Sequence, residues 1–509
     1  MRLTRATLER AALSGIAAAV AGLGVAELAA ALVASTSSPL FVVGSFVIDF
    51  MPGAVKELAI SLLGHADKPV LIASLAVLVA ALSAVAGILE LRRPPFGRVL
   101  LVLLAAVAAT TAITRADAGV LAFVPGAVAA LVSVLVLSWL MGRLRNPDTP
   151  PGPAGGLARR GFLTVVTATA GAGVLALAVG RVLGAGSQVA VKARALFTLP
   201  GAAVDATPLP APLNVTGITP FITPNAAFYR IDTALQVPKL NPDDWSLTID
   251  GMVDHPFTLS FHELIALPLE ESRTTLACVS NYVGGNLIGT ATWLGYPIRR
   301  LLQRAGPRPD TDMVLSTSSD GFTAGTPLTA LTDERNAILA VGMNGEPLPF
   351  EHGYPVRMVV PGLYGYVSAT KWVTKLKVTR FDRDTAYWTH QGWSPRGPVK
   401  LSSRIDVPAA GATVEAGTVA VAGVAWRQHV GVSAVQVRVD DGPFRDAELG
   451  AVESADTWRQ WVYRWRATPG RHTITVRATD ANGAVQTARV ADVVPDGATG
   501  LHSVEVTVT

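Results

Sequence analysis

One cysteine, Cys278, stands in 509 residues. A single thiol excludes an intramolecular disulfide framework, so a water-exposed part must be held together by its core. Taken alone, such a thiol reads first as a small buried hydrophobe and only second as a reactive or metal-binding group. Charge is scarce as well. Only 16% of residues are Asp, Glu, Lys or Arg, against 50% hydrophobic, and the mean hydropathy is +0.40. That balance excludes an ordinary soluble protein. The net charge is +4, and Lys and Arg form no run resembling a nucleic-acid footprint, so nucleic acid is not an expected partner. Of eight histidines only His65 precedes residue 200. Paired intramembrane histidines for a haem are therefore missing, as is a C-x-x-C-H motif.

The apolar excess lies almost wholly before residue 185. Runs at 11–34, 68–90, 97–114, 118–141 and 161–183 are long enough to cross a bilayer, which takes roughly 20 apolar residues. Segment 40–64 carries Asp49, Pro52, Lys56 and Glu57 in its middle and reads as an interfacial or re-entrant piece. Arg2, Arg5 and Arg10 precede the first span. Arg92, Arg93 and Arg98 follow the second, and Arg143, Arg145, Arg159 and Arg160 follow the fourth. These loops share one side, which the positive-inside rule makes cytoplasmic. Everything after residue 185 is then expected outside. Acidic groups within the spans are few, Glu27 being the clear one, which points to an anchor or docking surface rather than a pump. RRGFL before the fifth span reads either as an internal twin-arginine export signal or as plain positive-inside anchoring.

Beyond the anchor the composition changes twice. Residues 185–215 are rich in Pro and Ala and read as a linker. Residues 216–400 mix strand-like runs (WSLTIDG, PVRMVVPG) with short helical candidates (HELIALPL, YPIRRLLQRAG), an α+β pattern without a βαβ repeat. In residues 401–509, VAVAGVAW, AVQVRVD, QWVYRW and HTITVRATD alternate apolar and polar positions between Gly/Asp turns. That spacing predicts an antiparallel β-sandwich. The expected fold is thus a helical transmembrane anchor (1–184), an α+β domain and an all-β sandwich.

Four motifs occur in order: PNAAFYRID, TLACVSN, MNGEPLPFEHGYPVR and VVPGLYGYVSATKW. Together with AGVAW, VRVDDGPF and DTWRQWVYRW they resemble the sulfite oxidase family of molybdopterin enzymes over roughly residues 215–509. The resemblance implies a molybdenum–molybdopterin cofactor with Cys278 as the protein's metal ligand, for which a soft thiolate is suited. It further implies that His352 and Arg357 hold the cofactor and that Lys371 adds a positive contact. Arginine suits phosphate through its planar fork. Gly362 and Gly365 would admit close backbone approach. Asn225 and Tyr229 match the early pterin-binding segment, and Asp320 is a further candidate. Trp293, Trp372 and Tyr364 read as core.

The family also implies an oxygen-atom transfer on a small substrate, sulfite by default. A separate cytochrome or quinone-linked partner would take the electrons, and the last sandwich, resembling the family's immunoglobulin-like dimerisation domain, would support a homodimer. Departures touch the substrate side. Where the family has an arginine five residues after the metal cysteine, this chain has Val283. Arg230 stands in a partly matching segment, and His390 takes the place of the family's tyrosine, with a possible proton role. Reduction of a sulfoxide or related oxide is the alternative. A non-catalytic membrane binding protein on the same scaffold is the rival from another class.

Overall fold

A computed structural model describes residues 4–33, 37–52, 55, 59, 62, 63, 66–115, 118–145, 158–184, 188–209, 211 and 213–509. Within these the chain divides into two units, Met1–Lys192 with Thr233–Val237, and Ala193–Asp232 with Pro238–Thr509.

The first unit is helical: α1 (Arg5–Val33), α2 (Pro39–Phe50), α3 (Asp67–Arg92), α4 (Phe96–Ile113), α5 (Val124–Arg145) and α6 (Ala158–Gly184). Five of these, all but α2, are long and apolar enough to cross a membrane. Helix α1 is the hub, packed against α3, α5 and α6. Small residues permit this. A Cβ on Gly15 would stand 1.9 Å from the Ser83 carbonyl oxygen of α3, and one on Gly24 would stand 2.1 Å from that of Gly173 in α6. In lipid, where apolar side chains gain little by meeting, such close backbone packing holds helices together. The buried Glu27 accepts a 2.6 Å hydrogen bond from the Ser38 hydroxyl and pairs with Arg181 at 3.6 Å.

Two details differ from the sequence expectation. The fourth span begins at Val124 rather than 118, since residues 120–123 form turns and Pro125 suits a helix's first turn. It runs on to Arg145. Segment 40–64 contains the 12-residue helix α2, too short to span. Lys56, Glu57, His65 and Arg2 lie outside the described residues, as do the side chains of Arg159 and Arg160.

The linker expected at 185–215 is only partly one. Its Gln188–Leu196 stretch, free of proline and glycine and carrying Ala190, Ala193 and Ala195 with Lys192, Arg194 and Leu196, forms helix α7. Arg194 of α7 donates to the carbonyls of Pro347 and Leu348. Farther on, Ala203 N–H bonds Leu269 O and Glu271 N–H bonds Val204 O, so this stretch lines a sheet edge.

The α+β part holds two sheets. Strands β1 (Ser246–Gly251) and β2 (Phe257–Ser260) are followed by the short helix α8 (Phe261–Ile265), opened by a Ser260/Glu263 capping box. Then come β3 (Glu270–Ala277), β4 (Ile288–Pro297), α9 (Ile298–Ala305), β5 (Met313–Ser318), β6 (Thr323–Pro327), α10 (Thr329–Thr332), β7 (Ile338–Met343), β8 (Glu346–Pro347), β9 (Arg357–Val359), β10 (Val373–Thr379) and α11 (Tyr387–His390). One sheet has the order β2-β1-β10-β5-β6, with β1 and β10 parallel. The other runs β3-β4-β7-β8, with β9 also on β7. The Asn344-Gly345 pair, both at positive φ, makes the tight turn between β7 and β8.

The last part is a sandwich built from β11 (Ser402–Val407), β12 (Thr413–Val414), β13 (Gly417–Trp426), β14 (Val432–Val439), β15 (Arg445–Asp446), β16 (Glu448–Leu449), β17 (Arg459–Ala467), β18 (Gly470–Asp480) and β19 (Ser503–Val508). Its sheets run β11-β13-β17-β16 and β12-β19-β18-β14-β15. Val421, Trp461, Ile474 and Val506 fill it. Val424, Trp426, Trp458 and Val493, however, join the core of the α+β part beside Leu247 and Ile298. Trp458 Nε1 donates to Phe221 O at 2.9 Å.

Candidate active site

Strand β3 delivers Cys278. The strand ends at Ala277, and Cys278 opens the loop that returns to β4. Cys278 N–H bonds Leu287 O at 2.9 Å, and the Asn281 side chain accepts from Leu287 N–H at 2.9 Å. The VSNYVGGN stretch is thereby closed into a fixed loop with Cys278 buried at its base.

A second element carries the EHGYPVR residues. Gly353, at φ 112, turns the chain after His352, and a Cβ there would meet Arg357 Cβ at 2.9 Å and Lys371 Cβ at 3.2 Å. This close approach brings His352, Arg357 and Lys371 together. Arg357 is 5% exposed, yet its hydrogen bonds go to the carbonyls of His352 (3.1 Å), Met358 (3.3 Å) and Ala369 (3.4 Å), and its guanidinium lies over the Trp293 ring. Among the described residues no carboxylate pairs with it. Burial lowers its pKa to about 10, which still leaves it charged at neutral pH.

Lys371 Nζ bonds Asp232 at 2.7 Å and Glu351 O at 3.0 Å. Burial pulls its pKa down to about 8 against the support of Asp232. Asp232 also holds Arg230 at 2.9 Å. His352 is pushed down to about 4 by burial and by the neighbouring Arg357 and Lys371, so its imidazole is neutral at pH 7. With Nε2 3.2 Å from Asn225 O, that nitrogen carries the proton and Nδ1 is left as an acceptor.

Two phenols lie within electrostatic reach of Cys278. Tyr229 is raised above its ordinary value by burial and by the cysteine, opposed by Arg357. Tyr364, whose hydroxyl accepts from Lys400 N–H, is pushed up to about 12, mainly by burial. Both stay protonated at neutral pH. A Cβ on Gly365 would lie 3.8 Å from Ala277 O and 3.9 Å from the Tyr229 hydroxyl, so this glycine leaves room beside the cysteine.

The remaining candidates are spread more widely. Asn225 uses its side chain on Asn344, Glu346 and Met343 O. Gly362 faces His429 and Arg335 instead. Asp320 caps the β5–β6 turn by accepting from Phe322 N–H. Beside it, the hydroxyls of Ser318 and Ser319 are buried without a hydrogen-bond partner among the described residues. Ser319 N–H bonds Trp372 O, next to Lys371. His390 is exposed at the end of α11, a helix tied to the same turn region through Tyr387 N–H and the Thr323 hydroxyl. Val283 Cγ2 lies against Gly500, where a Cβ would stand 3.5 Å from it. Trp293, Trp372 and Tyr364 are buried, as core residues should be. Sequence reasoning passed over Asp232, Ser318 and Ser319. Asp232 lies inside the quoted PNAAFYRID motif, and its place two residues after Arg230 was the available signal.

The donor set suits an anionic, sulfur-bearing metal cofactor. Cys278 would offer a single soft ligand, and no three His, Cys, Asp or Glu side chains converge among the described residues, so a metal held by it would need further ligands from a non-protein group. Lys371 and Arg230 share one carboxylate, Asp232, and Arg357 pairs with none among the described residues, which leaves positive charge for phosphate. The two orphaned serine hydroxyls would be available for further hydrogen bonds to such a group.

Comparison with known proteins agrees. Residues 234–388 match the oxidoreductase molybdopterin binding domain, and residues 402–476 match a bacterial Ig domain. The chain is similar to the uncharacterized oxidoreductase YuiH of Bacillus subtilis (strain 168), 33% identical over 153 residues, which cover 30% of this chain and 74% of that protein. It is 31% identical to the mitochondrial sulfite oxidase of Rattus norvegicus over 288 residues, 47% of this chain. It spans only 52% of that relative's length. The sulfane dehydrogenase SoxCD structure from Paracoccus pantotrophus shares the fold, with a TM-score of 0.51 at 22% identity over 57% of this chain and 82% of that one. Fold and site together define a molybdopterin-binding oxidoreductase. More narrowly, the chain belongs to the sulfite oxidase family, and its cofactor is the molybdenum–molybdopterin group. An enzyme on this scaffold displaces the non-catalytic reading.

Proposed function

We propose that this is a membrane-anchored, extracytoplasmic enzyme that moves an oxygen atom onto a small substrate, passing two electrons to a separate cytochrome or quinone-linked partner, or off one, drawing two electrons from that partner. The observation that carries it is Arg357, a buried guanidinium bonded only to carbonyls, in the fold that holds Cys278. A charge left unpaired in an interior is costly unless a ligand supplies the counter-charge. Arg357 and Lys371 would grip the cofactor phosphate. His352, through Nδ1, Asn225, Tyr229 and the Asp320 turn would face the pterin, and Cys278 would bind the metal. When bound, the group supplies a two-electron centre for oxygen-atom transfer. Tyr229 and Tyr364, kept protonated by burial, would donate hydrogen bonds beside Cys278, and the exposed His390 would act as a proton carrier.

Sulfite oxidation is the first reading. Val283 and the ion pair between Arg230 and Asp232 favour a second, reduction of a neutral oxide such as a sulfoxide, because both lessen the positive charge offered to a dianion. The purified full chain from a cofactor-competent host tests this. About one molybdenum per chain is expected, and its absence overturns the proposal. Sulfite should reduce the oxidised centre under the first reading, whereas methionine sulfoxide should re-oxidise the reduced centre under the second.

A further inference from the structure

The segment carrying Cys278 is pinned on both sides by the immunoglobulin-like sandwich. Three residues before the cysteine, Thr275 makes three bonds to it. Its N–H donates to Asp456 O (3.0 Å), its carbonyl accepts from Gln428 Nε2 (3.1 Å), and its hydroxyl accepts from Trp458 N–H (2.8 Å). After the cysteine, the loop is held by Arg404 of β11. Arg404 is 9% exposed and uses every arm of its fork. Nη1 donates to Gly285 O at 2.8 Å, Nη2 to the Thr219 hydroxyl at 2.8 Å, and Nε to Asp406 at 2.7 Å. Asp406 in turn accepts from Thr219 N–H at 3.0 Å. Beside this clamp the His502 ring sits on Gly284, where a Cβ would stand 2.3 Å from it, and His502 Nδ1 accepts from Ile405 N–H.

From this geometry we infer that Arg404 is a positioning residue for the metal centre, acting through the Gly285 carbonyl on the Cys278 loop. The inference rests on Cys278 being the metal ligand. A charge-assisted bond from a buried guanidinium to one loop carbonyl fixes that loop more firmly than a neutral bond would. The fork is itself held by a carboxylate and a hydroxyl, so it cannot follow the loop if the loop moves. Ligand geometry is therefore set from the sandwich, a part of the chain that contributes no ligand. Lysine at this position has a single point of attachment and cannot hold Gly285 O, Asp406 and Thr219 in one plane.

The test uses the full chain, molybdenum-loaded and in detergent, as wild type, Arg404→Met and Arg404→Lys. Metal content, the paramagnetic Mo(V) spectrum, the midpoint potential, and kcat and KM with whichever oxo substrate turns over are measured. We expect molybdenum content to stay near wild type, the Mo(V) spectrum to shift or broaden, and kcat to fall by about ten- to a hundredfold with KM little changed. Arg404→Lys should lie between. A wild-type spectrum, potential and kcat in Arg404→Met, with only a lower melting temperature, overturns the inference. If Arg404→Met does not accumulate, His502→Ala, which frees Gly284 and leaves the ion pair intact, is judged by the same spectrum. Wild-type chain that loads no molybdenum overturns instead the assignment of Cys278, which separates the two failures.

Discussion

Arg357 and Lys371 look alike in sequence and differ in what they do. Arg357 has only carbonyls and a Trp293 face for company, whereas Lys371 is neutralised in part by Asp232. Replacing Arg357 by Gln should cut molybdenum per chain to about a tenth, because the paired bonds that suit phosphate are gone. Metal analysis after purification checks it. Lys371 carries a pH signature. Its pKa is lowered to about 8, so its charge is lost as pH rises through that value, and activity should fall along an alkaline limb near pH 8. In Lys371→Arg the limb should move upward or vanish, since arginine stays charged. His352 gives the opposite limb in stability. Its folded pKa of about 4 lies below the unfolded value near 6.5. Between these values the unfolded chain binds more protons, so stability rises with pH across the window and is lost as pH falls through it. The melting temperature of the apo chain should drop between pH 6.5 and 4, and His352→Gln should flatten that slope.

At the scale of elements, the sandwich and the α+β part share one core. Trp458, 1% exposed, sits between them and donates to Phe221 O. Trp458→Ala should cost about 3–5 kcal/mol, the usual range for emptying a buried aromatic site. Because the core is shared, calorimetry should show one cooperative transition for both parts, moved as a whole by the substitution. Two transitions, only one of them displaced, would contradict the shared core. This coupling was not readable in the sequence. The motifs around Cys278, the strand alternation after residue 400 and the apolar runs before 185 are local patterns, and local patterns report helices, strands and turns. Trp458 with Phe221 and Arg404 with Gly285 are pairs between distant stretches, and no period in the chain encodes them. Helix α7 was hidden for another reason. The prolines and alanines that follow it from residue 200 coloured the whole stretch as linker. Asp232 was missed because its lysine partner lies 139 residues away.

For the whole molecule, the open question of orientation has a direct answer in its single cysteine. Arg92, Arg93, Arg98, Arg143 and Arg145 cluster at the ends of α3, α4 and α5 that the positive-inside rule assigns to the cytoplasm. With all five apolar helices crossing, as proposed, the chain would reach the other side before Ala193. Cys278 is buried, so an impermeant maleimide should label the native chain poorly in intact cells. A cysteine placed on an exposed turn becomes a reporter against that low background. Asp441→Cys, in the turn between β14 and β15, should be labelled from outside without permeabilisation. Arg93→Cys, in the exposed turn between α3 and α4, should be labelled only after the membrane is opened. The reverse pattern would place the enzyme in the cytoplasm and remove the case for RRGFL as an export signal. The expected pattern in cells that load molybdenum has a further consequence. The cofactor must then reach a domain on the outer side, and a blocked twin-arginine route should leave the Asp441→Cys reporter unlabelled while the Arg93→Cys reporter behaves as before.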